Sequence, residues 1–148
     1  MIELIATSVI TATSLLLFGY WFRYTCVLIL SARTTRDYAG AVAAANQLSF
    51  PEIQSVLREH AAANLDSLKM SLDRDYAVLT YLLKHAASSS SAEDIVEKRM
   101  LNVHYRLMRA WYGATRNLAP SVAYRALEEM TSVVAHFANT MGAQAAAA

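Results

Sequence analysis

The chain has 148 residues and a formal charge of +1 at pH 7, room for one domain plus a short extra segment and none of the basic excess that favours nucleic acid. Its single cysteine, Cys26, excludes an internal disulfide and suits a reduced compartment. The four glycines, Gly19, Gly40, Gly113 and Gly142, stand singly, whereas a P-loop or dinucleotide site needs them clustered.

From Leu4 to Phe22 no residue carries a charge, and apart from Arg23 the uncharged run continues to Ala32. About 20 apolar residues of helix cross the hydrocarbon layer of a bilayer, so residues 1–32 read as a transmembrane anchor with its juxtamembrane segment. Tyr20, Trp21, Phe22 and Tyr24 bracket Arg23. This is the composition of a membrane-interface belt, with rings at headgroup depth around a cation that reaches water. A cleaved signal peptide is disfavoured, because the opening Met1-Ile2-Glu3 lacks a positive charge. Arg23, Arg33 and Arg36 follow the span and Glu3 precedes it. The positive-inside rule then predicts a single-pass protein of the plasma (inner) membrane, its N-terminus outside and its domain cytoplasmic. Within the span, Ser8 and Ala12 form a small-x-x-x-small pair beside the hydroxyl stripe Thr7, Thr11 and Ser14, a candidate helix-association face. The alternative is that these hydroxyls bond back to their own helix. Cys26 is expected to be a neutral buried thiol, with acylation as the alternative.

Thr25 to Leu48 contains no proline and is rich in alanine, which predicts that the anchor helix continues to about Leu48. Ser49-Phe50-Pro51-Glu52 reads as a capping box. It opens a short helix, a pause near Ala61 to Asn64, and a long helix with the seam Leu65, Leu68, Leu72, Tyr76, Leu79 and Leu83. Ser88 to Ser91 is a polar connector, and Ser91 is the expected cap of the next helix. That helix has a main seam of Val96, Met100, Val103, Leu107, Ala110 and Ala114, with a second apolar stripe, Leu101, Tyr105, Met108 and Tyr112, opposite it. A helix apolar on two sides is either central in its bundle or half of an interface. Asn117 to Pro120 breaks the pattern. Ser121 is expected to cap a last helix with the seam Ala123, Leu127, Met130, Val134, Phe137 and Met141. Gly142 is read as its C-cap and 143–148 as a flexible tail. No stretch alternates as a strand does. The predicted fold is therefore all-α: the anchor, then an antiparallel helical bundle over 33–142.

The four histidines, His60, His85, His104 and His136, are scattered. On a helical wheel His85 and His136 fall on polar sides and His104 on the flank of its seam. Neither Glu-x-x-His nor His-Glu-x-x-His occurs, and no serine sits in Gly-x-Ser-x-Gly. No catalytic residue, metal ligand or cofactor is therefore assigned. Asp75, between Leu72 and Leu79, is a possible buried carboxylate. If it is not at the surface, it needs a partner such as an arginine or His104 of the next helix. Arg99, Asn102, Arg106, Arg109 and Arg116 share one side of their helix, a possible face for an acidic partner or lipid headgroups; otherwise it is a solvated face. The reading that follows is a non-enzymatic, membrane-anchored helical module: a scaffold, assembly factor or regulatory subunit. It would contact membrane lipid and another protein or itself, and no nucleic acid. The alternative is a haem- or metal-binding bundle acting as electron carrier or sensor through His104.

Overall fold

Helix is the regular structure of every element in the computed structural model, which describes residues 1–32, 36–60, 64–86 and 92–147. Six helices lie among the described residues: α1 (Ile2–Ser31), α2 (Ala39–Asn46), α3 (Phe50–Arg58), α4 (Leu65–Ala86), α5 (Ala92–Thr115) and α6 (Pro120–Ala147). The chain divides into two units, Met1–Ala32 and Arg33–Ala148. Arg33, Ala61 to Ala63 and the Ser88 to Ser91 connector with its expected cap fall outside the described residues.

The anchor helix does not run on to Leu48. It stops at Ser31, and Ala32 is extended at φ −63° and ψ 115°. Helix resumes at Ala39, where side chains supply acceptors for orphan N–H groups. Asp37 Oδ1 accepts from Ala39 N–H at 3.0 Å, and Asn139 Oδ1 accepts from Tyr38 N–H at 2.7 Å. These acceptors favour a fresh start over a continued helix, a preference that alanine content alone does not register. Gln47 then closes α2 in the left-handed region, φ 53° and ψ 45°.

In the second unit α6 is the hub. Helices α2, α3, α4 and α5 all pack against it. Its expected seam is buried at Ala123, Leu127, Met130, Val134 and Phe137, but so are Ala126, Val133 and Ala138. Neighbouring residues differ by about 100° around a helix, so α6 is covered on several sides at once. Small side chains allow this close approach, and Gly142 is the extreme case. It is no C-cap: α6 continues through residues 143–147 to Ala147, and Gly142 is buried inside it. A Cβ there would collide with Tyr38 Cβ and press on Val42 Cγ2 at 3.1 Å. Ser121 is likewise not the cap, since α6 opens at Pro120, in a first turn whose missing N–H costs nothing.

Helix α4 buries Leu72, Leu79 and Leu83, as its seam predicts. The two stripes of α5 are exchanged. Leu101, His104, Tyr105, Met108 and Tyr112 are buried, whereas Val96, Val103 and Leu107 are exposed. Polar complementarity explains the exchange. Tyr105 and Tyr112 donate their hydroxyls to Asp73 and Asp66 of α4, each at 2.9 Å, a pairing that the valine and leucine stripe cannot offer.

Candidate interaction surfaces

The helix α1 is long and apolar enough to cross a membrane. The hydroxyls of Thr7, Ser8 and Thr11 donate to the carbonyls of Glu3, Leu4 and Thr7, each at 2.8 Å. Each is thus satisfied within its own helix. Ala12 and Ser14 are exposed on the same helix. Near its other end the rings of Tyr20, Trp21 and Tyr24 cluster with centroids 6.0–6.4 Å apart, and Phe22 stacks on Phe18 at 6.4 Å. Arg23 lies in sequence at the middle of this belt.

Asp75 has no accessible surface. Its Oδ2 accepts from the backbone N–H groups of Ser49 and Phe50 at 2.6 and 2.8 Å. Ser49 makes no side-chain cap bond of its own, so the expected capping box is replaced by a carboxylate from another helix. The positive end of α3 suits a negative charge. Its partners are therefore this helix start and Arg74, whose guanidinium reaches Oδ1 at 3.5 Å, in place of His104 or an arginine of α5.

Between α4 and α5 runs a polar seam built from two matching repeats. Asp66 and Asp73 are seven residues apart on α4. Facing them, Tyr112 with Arg116 and Tyr105 with Arg109 are seven apart on α5. Arg116 meets Asp66 at 3.0 Å, and Arg109 meets Asp73 at 3.3 Å. Lys69 also reaches Asp73, at 2.8 Å. Tyr76 stacks flat on Tyr105, centroids 3.8 Å apart, and donates to Asn102 Oδ1 at 2.5 Å. Arg106 stands beside the Tyr76 hydroxyl. Of the arginine stripe, then, Arg106, Arg109 and Arg116 turn toward α4, and Arg99 is exposed. An open cavity of about 540 Å³ is lined by Lys69, Arg106, Arg109, Tyr112 and Arg116.

Burial and the adjoining carboxylates set the ionisation here. Burial, then the Asp66 hydrogen bond, pushes the Tyr112 hydroxyl up to about 12. Tyr105 is raised further by burial and Asp73, and burial raises Tyr76. Asp66 is lowered by the Tyr112 hydrogen bond first and by Arg116 second.

The four imidazoles have four different neighbours. His60 packs on Tyr124 and His85 on Tyr81. His136 does not lie on a solvated side: its Nε2 is 2.6 Å from Glu97 Oε1, joining α6 to α5. His104 is fully buried, with Nε2 3.2 Å from Glu129 Oε2. That contact lacks hydrogen-bond alignment, and Nδ1 has no hydrogen-bond partner among the described residues. No group of three or more His, Cys, Asp or Glu that could hold a metal ion occurs among the described residues.

The outer face of α5 is the apolar surface of the second unit that periodicity had assigned to the core. Val96, Val103, Leu107 and Trp111 are all at least half exposed there. Because α6 is the central helix, the two-sided apolarity of α5 leaves this face uncovered among the described residues. The architecture defines an all-helical protein with one apolar N-terminal helix. Compared with known proteins, the chain matches no family model, no curated protein and no solved structure.

Proposed function

We propose that the chain is a non-enzymatic, membrane-anchored helical module. In this reading α1 spans the plasma (inner) membrane, with the N-terminus outside. The cytoplasmic unit is an antiparallel bundle that serves as scaffold, assembly factor or regulatory subunit through protein–protein contacts. The observation that carries it is the outer face of α5, apolar over five turns on a helix whose opposite face is already buried. Contiguous exposed apolar surface of this kind marks interaction sites in soluble domains. The exposed, apolar α1 supports the anchor.

One experiment tests both parts. Native membranes are washed in alkaline carbonate and then treated with a short cross-linker. The parent chain should stay with the bilayer and carry cross-linked protein. A variant with Val103→Glu and Leu107→Glu should stay with the bilayer, keep its helix content and lose the cross-links. Release of the intact parent would overturn the anchor, and unchanged cross-links in the variant would overturn the interaction face.

A further inference from the structure

We infer that two copies of this chain pair through the outer face of α5, side by side and in the same direction, as a short parallel coiled coil. The inference rests on the interaction-module reading and names its partner. Val96, Met100, Val103, Leu107, Ala110 and Ala114 alternate steps of four and three residues, a strict repeat of 3.5. A helix packed only onto its own core needs a wider stripe. A narrow seam of this period is what a helix presents to another helix of the same kind.

Val96, Val103, Leu107 and Trp111 are 57, 55, 50 and 52% exposed. Together with the alanines they make a stripe on the order of 500 Å², at the upper end of what monomers leave uncovered. A polar rim brings that toward the roughly 800 Å² per partner of a stable pair.

The edges of the stripe differ in charge, and this selects both the partner and its direction. Arg99 stands exposed on one edge. Along the other stand Glu97, whose side chain is 40% exposed, and Glu129 of α6 beside His104. In a parallel pair each edge faces the opposite edge of the second copy. Arg99 then lies across from the partly exposed carboxylate of Glu129, which stands beside the buried His104. An antiparallel pair would set arginine edge against arginine edge. An anionic bilayer would attract one edge and repel the other.

The test uses the full chain in lipid bilayers with Cys26→Ser, so that the only thiol is the one introduced. Residues on the seam meet their own copies across a parallel two-fold axis. Val103→Cys and Leu107→Cys should therefore oxidise to disulfide-linked dimers several-fold more than Met70→Cys, which is exposed on α4. Arg99→Glu should lower the dimer yield at position 107, and adding Glu129→Arg should restore it. Equal yields at 70, 103 and 107 would mean proximity through the anchor alone and would overturn the pairing. Cross-links from 103 and 107 to a different protein would overturn self-pairing and leave the interaction module standing. Cross-links to nothing would overturn self-pairing, and the module reading is then decided by the Val103→Glu and Leu107→Glu variant in native membranes.

Discussion

Asp75 shows how a single side chain can hold two helices in register. A carboxylate without accessible surface needs compensation, and here the compensation is the start of α3, two backbone N–H groups and the positive end of the helix. Asp75→Asn removes the charge and places an amide donor where only acceptors fit. It should cost on the order of 2 kcal/mol in chemical denaturation of the full chain in detergent, followed by circular dichroism. A loss below about 0.5 kcal/mol would mean that water replaces the carboxylate. The proximity of Asp75 to the leucine seam was legible from its spacing to Leu72 and Leu79. Its partner was not, because the start of α3, although marked by Ser49 and Pro51, lies on another helix, and spacing along α4 does not say which element Asp75 faces. His136 failed for a related reason: the wheel assumed one buried side for α6, and a hub helix has several.

At the scale of the element, close approach decides more than hydrophobicity. Gly142 lets α6 and α2 touch, and Asn139, three residues earlier, holds the first turn of α2. Gly142→Ala improves intrinsic helix propensity by up to ~1 kcal/mol. Even so, it should destabilise the unit by roughly 1–3 kcal/mol, because Tyr38 must move. Thermal unfolding of the two proteins side by side gives the sign, and a stabilised variant would show that α2 yields freely. The stripes of α5 mark the limit of periodicity, which recognises apolar faces but does not rank them. A signal that ranks them was present in the sequence as two Tyr-x-x-x-Arg sets seven residues apart. These match Asp66 and Asp73, also seven apart, on the preceding helix. The end of α1 was hidden differently: Asn139, which helps to start α2, lies a hundred residues from the helix it caps.

For the whole molecule, the tyrosine seam makes stability depend on alkaline pH. A tyrosine whose folded pKa is raised above its ordinary value of 10.0 favours folding while it is protonated. That contribution is intact below pH 10 and is lost as pH rises through the folded value, about 12 for Tyr112. Tyr76 and Tyr105 act in the same direction. The unfolding temperature should therefore fall between pH 10 and 12, and less steeply in Tyr112→Phe than in the parent. Identical slopes would remove Tyr112 from the linkage. The lowered pKa of Asp66 works oppositely, with support present above the ordinary 3.8 and lost as pH falls below it. Its exposure keeps that effect small.

The position of the hub in the chain also bears on biosynthesis. Residues 120–147 leave the ribosome after α2, α3, α4 and α5, yet they form the surface on which all four pack. The four earlier helices therefore emerge with their apolar faces uncovered. Local contacts such as the Asp75 cap of α3 and the tyrosine seam between α4 and α5 are available early, but the core cannot close before α6 is present. Until α6 is made, the surface that joins the four helices is missing, and the exposure of the nascent unit to chaperones and proteases depends on how soon those turns follow.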